Sequence, residues 1–203
     1  MLPTLSSQTL TLGVKGGARL TDDLDSYWAD SESQRYAIGP TLTLGLRRGF
    51  AVEIDALYRR VGYRSDGVDV IGDKYATRAR GNSLEFPLLL RKTIVGGLYG
   101  AAGYVPRIIS GSVHTDLLSV IDINNSSVKR YQEFSSPNPW NTTHGIAAAI
   151  GIERRLGPFR IAPEARYTFW TSPSLREEGS RGFSIYSNQH QLDILVGIAW
   201  GGR

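Results

Sequence analysis

The stretch FRIAPEARYTFW, residues 159–170, decides the fold because large apolar residues alternate in it with charged or small ones. Successive side chains of a β-strand point to opposite faces, so this pattern gives one apolar face and one polar face. The stretch FAVEIDALYR, residues 50–59, repeats the pattern, with Glu53, Asp55 and Arg59 on one parity. Which of the two faces points inward therefore decides between a soluble barrel and a membrane barrel.

The same alternation predicts eight strands. They cover residues 8–20, 35–47, 50–63, 80–92, 97–109, 143–154, 159–170 and 189–200. In the fifth, rich in Gly and Ala, an outward set of Leu98, Ala102, Tyr104 and Ile108 is favoured but the facing stays open.

The connections between the predicted strands alternate strictly in length. Short ones at 48–49, 93–96 and 155–158 suit antiparallel hairpins, and long ones cover 21–34, 64–79, 110–142 and 171–188. We expect the long ones to be loops, with room for a turn or two of helix at 116–123. Tight turns at one end and long loops at the other are typical of transmembrane barrels.

Composition bounds the class of protein. The 203 residues suit one domain over 1–203, and the absence of Cys excludes a disulfide scaffold and a thiolate metal site. No apolar run approaches the roughly 18 residues that a spanning helix needs, whereas a spanning strand needs only about 9–11 alternating residues. Opposite charges interleave to a net charge of +4, so nucleic acid is not an expected partner. No secretion signal is visible, which leaves a cytosolic protein or a mature chain as alternatives.

The inside of an eight-stranded barrel is just wide enough for side chains to fill it. The apolar set, which includes Phe86 and Trp200, is too bulky for that space, whereas the other set holds many Gly and Ala and charges of both signs. Buried charges must be paired, and a closed ring of strands permits pairing. We therefore predict an apolar outside and a plugged interior with this charge network: Lys15, Glu53, Asp55, Arg59, Glu85, Arg91, Glu164, Arg166 and Asp193. The alternative is that interior charges line a conduction path or act as acid/base pairs, for which Glu164 with Arg166, and Glu53 with Asp55 and Arg59, are the best groups.

Aromatic residues of the outward set concentrate near the strand ends, as expected for girdles at two membrane interfaces. The predicted girdle consists of Tyr36, Phe50, Tyr58, Tyr104, Phe159, Tyr167, Phe169 and Trp200. Further aromatics fall in the long connections, where we expect loops to pack on one another: Tyr27, Trp28, Tyr131, Phe134, Trp140, Phe183 and Tyr186. Pro40, Pro87 and Pro163 lie inside strands, and each removes a donor from the ladder, so we expect bulges or local unpairing there.

Candidate chemistry is sparse. His114, His144 and His190 are too scattered for a metal site, and the acidic residues of 22–32 lack the spacing of a calcium loop, so no metal is expected. Ser187 near His190 and Ser112 near His114 leave a lipid-modifying enzyme as a remote alternative. No catalytic residue and no cofactor are predicted, and we expect the chain not to be an enzyme.

Three stretches carry a resemblance to a known family: SLEFPLLLR at 83–91, GLYGAAGY at 97–104, and residues 144–170 with GIERRLG and PEARY. With them the chain resembles the small outer-membrane β-barrels of Gram-negative bacteria. The PorT-like "outer membrane protein β-barrel domain", near the OmpA/OmpX-type barrels, is the most similar. The resemblance implies a bacterial outer-membrane location, insertion by the barrel-assembly machinery and a cleaved signal peptide. Membrane lipid and lipopolysaccharide are then the expected partners, and we expect a monomer.

Together these observations predict an all-β fold: a closed, antiparallel, eight-stranded, up-and-down transmembrane β-barrel with both termini at the periplasmic side. The predicted role is structural or surface-interacting, through the long extracellular loops. A narrow channel or transporter for small, even apolar, solutes is the main alternative. A lipid-modifying enzyme is the third alternative, and a soluble ligand-carrying barrel is the fourth.

Overall fold

The computed structural model describes residues 9–25, 29–68, 74–123, 126–137, 140–178 and 184–201. Nearly all of them lie in strands, with a short 3₁₀ helix at Arg47–Gly49. The strands are β1 (Thr9–Arg19), β2 (Leu24–Asp25), β3 (Asp30–Ser31), β4 (Tyr36–Gly45), β5 (Phe50–Asp55), β6 (Leu57–Val68), β7 (Lys74–Glu85), β8 (Leu88–Thr93), β9 (Leu98–Ile123), β10 (Ser126–Pro137), β11 (Thr143–Ile152), β12 (Arg154–Leu156), β13 (Phe159–Trp170), β14 (Arg176–Glu178), β15 (Ser184–Ser187) and β16 (His190–Gly201). Within the described ranges, no helix is long and apolar enough to cross a membrane.

The wall is a closed antiparallel barrel of eight strands, as predicted. In order around the barrel the strands are β1, β4, β5 with β6, β7 with β8, β9, β11, β13 and β16, and β16 pairs with β1 to close the ring. Neighbours in space are neighbours in sequence, which makes the topology up-and-down. We call the end with the tight turns at 46–49, 94–97 and 157–158 the turn end, and the opposite end the loop end.

The predicted local unpairing beside the three prolines is confirmed. β5 and β6 are separated at Ala56, which faces Pro40, and β7 and β8 are separated at Phe86 and Pro87. The ladder between β11 and β13 stops at Gly151 and resumes at Arg154 of β12, across from Pro163. The register is unchanged across each interruption, so a missing donor, rather than an inserted residue, breaks the ladder.

Two of the predicted loops are instead strands. β6 continues to Val68 and β7 starts at Lys74, while β9 runs without interruption to Ile123 and β10 returns beside it. The predicted helical turns at 116–123 are wrong, because the whole segment pairs with β10, and residues 116–118 also pair with β7. The segment contains several β-branched residues, which favour a strand. The wall therefore extends well past the apolar belt at the loop end.

An apolar cluster fills the inside of this extension. Its buried members are Val61, Tyr63, Ala79, Ile109, Val113, Trp140, Leu175 and Ile185. Trp140 lies against β7 and β9, where a side chain at Gly111 would collide with its ring. Of the other loop aromatics, Tyr27, Trp28, Phe183 and the side chains of Tyr131 and Phe134 lie outside the described part. We call the eight residues the loop-end cap because they lie above the charged interior.

Candidate functional site: a charged lumen inside an apolar wall

The outer face of the wall is apolar. Adjacent residues of β16 show the alternation, since Ile194 is 43% exposed and Leu195 is 0% exposed. In β9, whose facing the sequence left open, Tyr104 and Ile108 point outward and Val105 is buried. Other exposed outward residues are Leu12, Val14, Ile38, Ile54, Leu84, Leu88, Leu90, Ile146, Ile150, Val196 and Ile198. A continuous belt of this size on a monomer marks a surface that meets an apolar medium or a partner.

The predicted girdle residues all lie on this outer face. Phe50, Phe159 and Trp200 are at the turn end, where Phe159 and Trp200 are paired across β13 and β16. At the loop end are Tyr36, Tyr58, Tyr104, Tyr167 and Phe169.

Hydrogen bonds mark the boundary of the apolar belt at the loop end. Tyr58 donates to Asn82 over 2.7 Å, and the hydroxyls of Tyr104 and Tyr167 lie 2.5 and 2.7 Å from the Nδ1 atoms of His144 and His190. The ring of Tyr104 is stacked on that of His144. An apolar ring with a polar tip suits the interface between hydrocarbon and headgroups.

A first group of buried charges, the turn-side ion cluster, consists of Lys15, Glu53, Asp55, Glu164 and Arg166. Nη2 of Arg166 lies 3.2 Å from Glu53, 2.7 Å from Asp55 and 2.7 Å from Glu164. Lys15 bonds to Glu53 and lies 3.4 Å from both Asp55 and Glu164. All five side chains are at most 3% exposed, so the three carboxylates are neutralised by protein cations and not by solvent.

Two neighbours complete the turn-side ion cluster. The Tyr99 hydroxyl donates to Glu164 over 2.9 Å, and Nη1 of Arg91 lies 3.7 Å from Glu53. The guanidinium of Arg91 also covers the ring of Tyr99 at 3.5 Å. Tyr99 fits here because Gly151 opposite it has no side chain, and a Cβ at Gly151 would collide with the tyrosine ring.

The turn-side ion cluster crosses the lumen. β5, which carries Glu53 and Asp55, is four positions away from β13, which carries Arg166, in a ring of eight strands. These strands are diametrically opposite, yet their side chains are in hydrogen-bond contact. The lumen is therefore filled with side chains at this level.

A second group, the loop-side ion cluster, consists of Arg19, Arg59, Glu85, Arg107, Gln191 and Asp193. Arg59 pairs with Asp193 at 2.9 Å, and Gln191 donates to Asp193 over 2.6 Å and to Glu85 over 3.3 Å. Gln191 accepts from Arg19 and from the indole of Trp170. The Gln191 contact with Glu85 again joins opposite strands, β16 and β7.

Arg107 is buried over the ring of Trp170, with 3.8 Å between its guanidinium carbon and the ring centroid. Its Nε and Nη2 have no hydrogen-bond partner among the described residues. The same is true of Nε of both Arg19 and Arg59 and of the hydroxyl of Ser83. In the described part of the chain, the loop-side ion cluster has five such atoms, including Oε1 of Glu85, and the turn-side ion cluster has two, Oδ1 of Asp55 and Nη1 of Arg166. The loop-side ion cluster is thus the less completely bonded of the two.

All nine residues of the predicted charge network lie inside the wall, but they separate into two groups. Arg59, Glu85 and Asp193 belong to the loop side, and the other six lie together at the turn side. Glu164 and Arg166 lie together, whereas Arg59 lies with Asp193 and not with Glu53 and Asp55, because four residues of strand place Arg59 about 13 Å further along the barrel than Asp55.

Sequence reasoning missed several interior residues. They are Arg19, Tyr99, Arg107, Glu153 and Gln191. Tyr99 and Arg107 lie in β9, whose facing was open. Because Tyr104 and Ile108 point outward from even positions of β9, Tyr99 and Arg107 at odd positions of the same strand point inward.

At the turn end the lumen opens into a vestibule of about 190 Å³, lined by residues that include Thr9, Thr11, Thr43 and Arg160. Next to Lys15 and Glu53 the remaining space is about 30 Å³. Side chains therefore fill most of the described lumen beyond this vestibule.

The serine–histidine pairs of the enzymatic alternative are arranged differently from each other. Ser187 is buried and accepts from the backbone amide of Ser174 at 2.7 Å, whereas His190 is exposed and bonded to Tyr167. Ser187 ends β15 and His190 begins β16, and the two strands belong to different sheets. Ser112 and His114 share an exposed face, with 3.5 Å between the hydroxyl and Nε2.

The acidic first loop is paired with arginines. Asp22 meets Arg35 at 2.8 Å, Asp23 bonds to Arg19, and Glu32 meets Arg78 at 2.6 Å. Within the described ranges, no three His, Asp or Glu side chains are grouped as metal ligands.

No protein-family model matches the sequence, and no curated protein is significantly similar to it. Solved structures that resemble the fold include Neisserial surface protein A, with a TM-score of 0.38 at 10% identity, covering 95% of this chain and 96% of that one. CarO of Acinetobacter baumannii gives 0.42 at 13% identity, covering 93% and 96%. Ail, the attachment invasion locus protein of Yersinia pestis, gives 0.33 at 11% identity, covering 95% and 97%. All three are small outer-membrane barrels of eight strands. Likeness at these identities concerns the general fold and assigns no role to any residue, and the PorT-like assignment stays a prediction.

Proposed function

We propose that this chain is an integral protein of the bacterial outer membrane, in which a plugged barrel anchors a surface-exposed β-extension at the loop end. The role of that extension is contact with molecules outside the cell. The observation that carries the proposal is the contact of Arg166 with Glu53 and Asp55 across the lumen, inside a wall whose outer face is apolar.

The membrane location is supported by the distribution of charge. Lys15, Arg59, Glu85 and Asp193 are each at most 3% exposed and face the lumen, while Ile194 and Ile198 are exposed on the outside. Turning a single Lys or Arg outward at the bilayer midplane would cost roughly 2–4 kcal/mol. Closed barrels with an even number of strands, short turns at one end and longer segments at the other are the architecture of bacterial outer membranes.

The anchoring role is supported by the plug. Two ion clusters fill the lumen in succession, and the loop-end cap covers the second one. A conduction path through the barrel would have to separate buried pairs such as Arg166 with Asp55, which leaves unpaired charges in a medium of low dielectric. A narrow channel is therefore the less favoured alternative.

The surface role is supported by the extent of the sheet past the apolar belt. β9 has 26 residues, about two and a half times the roughly 9–11 that cross a membrane, and β10 adds 12 paired residues. This extension, with β6 and β7, is the part of the chain that external molecules can reach. Contact with lipopolysaccharide, insertion by the barrel-assembly machinery and a monomeric state are predictions that follow from the location.

Planar-bilayer conductance and liposome swelling test the plug. We expect purified, refolded protein to shift in a heat-modifiable way on a gel, to insert into vesicles and to give no solute-dependent flux. Steady flux through the wild-type barrel would contradict the anchoring role and favour the channel. A porin that conducts in the same bilayers serves as the positive control.

An epitope inserted between Ile123 and Ser126 tests the orientation. In intact cells the epitope should be detected from outside, whereas an epitope inserted in the turn at Gly157 should be detected only after permeabilisation. The reverse pattern would contradict the proposed surface role. A detergent-free, monodisperse protein in buffer would contradict the membrane location itself.

A further inference from the structure

The turn end carries a set of cations without ion-pair partners. Arg47, Arg48, Arg154 and Arg155 are exposed and form no salt bridge among the described residues. We call these four the turn-end arginines. The one carboxylate in the described turns, Glu153, is already paired with Arg91 at 2.5 Å and with Arg160 at 3.3 Å.

Exposed aliphatic side chains stand beside the turn-end arginines. Ile94 is 64% exposed, Val95 is 70% exposed and Leu156 is 60% exposed. Leu156 follows Arg154 and Arg155 directly in the same turn. Aliphatic side chains at the tips of turns are poorly placed in water, and together with arginines they form a surface suited to the headgroup region of a bilayer.

The register places this surface at the level of the girdle aromatics at the turn end. Leu156 is paired with Phe159, which is paired with Trp200, and Phe50 is paired with Lys92. Lys92 lies over the ring of Phe50, with 4.1 Å between its ammonium and the centroid, and bonds to the carbonyl of Arg48. Aromatic girdles sit at the headgroup level, so the arginines beside them meet phosphates and not bulk solvent.

At the loop end four arginines are paired within the protein, and Arg60 is exposed without a salt bridge among the described residues. Arg35, Arg64 and Arg78 pair with Asp22, Asp66 and Glu32 at 2.6–2.8 Å, and Arg80 lies 3.9 Å from Glu32. These cations are satisfied within the protein, whereas the turn-end arginines remain available to an external anion.

We propose that the turn end is a binding surface for anionic glycerophospholipids of the adjoining leaflet, with the turn-end arginines contacting lipid phosphates while Ile94, Val95 and Leu156 enter the headgroup region. The inference rests on the membrane location proposed above. It makes the barrel selective for the charge of its surrounding lipid at the turn end, not only for hydrocarbon.

Electron paramagnetic resonance with spin-labelled lipid tests this selectivity. The full chain is reconstituted in phosphatidylcholine vesicles with trace spin-labelled phosphatidylglycerol or phosphatidylcholine, and the motionally restricted fraction of each label is compared. We expect a preference for phosphatidylglycerol of roughly two- to fivefold at low salt, which falls as salt is raised.

Two matched variants locate the preference. The variant without the turn-end arginines should lower the ratio of restricted phosphatidylglycerol to restricted phosphatidylcholine toward one; it carries Arg47→Gln/Arg48→Gln/Arg154→Gln/Arg155→Gln. The matched variant removes the same charge at the loop end and should keep the ratio; it carries Arg35→Gln/Arg64→Gln/Arg78→Gln/Arg80→Gln. A wild-type ratio of one, a ratio insensitive to salt, or equal loss in both variants would overturn the proposal. Failure of the chain to restrict either lipid would instead contradict the membrane location on which it rests.

Discussion

The two ion clusters of the lumen differ in how completely they are bonded. In the turn-side ion cluster a single nitrogen of Arg166 meets three carboxylates, and Lys15 contacts the same three. In the loop-side ion cluster a neutral side chain, Gln191, mediates most contacts, and Arg107 leaves Nε and Nη2 without a hydrogen-bond partner in the described part of the chain. The turn-side ion cluster is a dense group of ion pairs that joins opposite strands, and the loop-side ion cluster is a less completely bonded network.

This difference has a physical consequence for stability. Removing one member of a compact buried ion cluster leaves carboxylates without compensation, which is costly, whereas removing an incompletely bonded cation also removes its own desolvation penalty. Removal of Arg166 from the turn-side ion cluster should therefore be severe and removal of Arg107 from the loop-side ion cluster mild, although both side chains are buried.

Arg166→Met should have the largest effect. It leaves Glu53, Asp55 and Glu164 with Lys15 as the main cation, and we expect a loss of about 3–5 kcal/mol in the free energy of unfolding. Urea unfolding in lipid vesicles, followed by tryptophan fluorescence and gel migration, measures it. Arg64→Met, an exposed cation paired with Asp66, is the matched control and should change stability by less than about 1 kcal/mol. Equal effects of the two substitutions would contradict the stabilising role of the turn-side ion cluster.

Tyr99→Phe should have an intermediate effect. The ring and its contact with Arg91 are kept, and only the hydroxyl that donates to Glu164 is lost. A hydrogen bond to a buried charge contributes about 2 kcal/mol, and the same unfolding measurement applies. Tyr58→Phe on the outer face, whose hydroxyl bonds to exposed Asn82, should cost clearly less. If Tyr99→Phe is neutral, the tyrosine is not part of the turn-side ion cluster.

Arg107→Met should have the smallest effect of the three. Its stacking on Trp170 contributes about 1 kcal/mol, and the loss is offset because two unpartnered donors leave the interior. We expect a change of about 1 kcal/mol or less in the free energy of unfolding. A loss as large as that of Arg166→Met would show that the two clusters are equally bonded, and the contrast between them would be lost.

Most of the wall follows from the sequence. Alternation in stretches such as residues 159–170 reports directly which side chains share a face, and the bulk of residues such as Trp200 excludes the apolar set from a narrow lumen. Parity also marks which charges lie on the inner face, and the prolines mark where the ladder is interrupted. These properties depend on local pattern alone.

The partition of the charges does not follow from the sequence. Strand spacing alone separates Arg59 from Asp55, but whether Arg59 meets Asp193 depends on the relative stagger of strands far apart in the chain, which no local pattern records. The strands past the apolar belt were missed for a different reason. Past the belt neither strand face is uniformly apolar, so residues 110–137 lack the clear alternation that identified the wall.

The most direct test of the central claim is a cysteine scan along β16, which is straightforward because the chain contains no Cys. Spin labels placed singly at Ile194, Val196 and Ile198, and at Gly197 and Ala199, report collision with oxygen dissolved in the bilayer. The account predicts high oxygen accessibility at the three apolar positions and low accessibility at the two small ones. The reverse pattern, or accessibility without a period of two, would contradict an apolar wall around a charged interior.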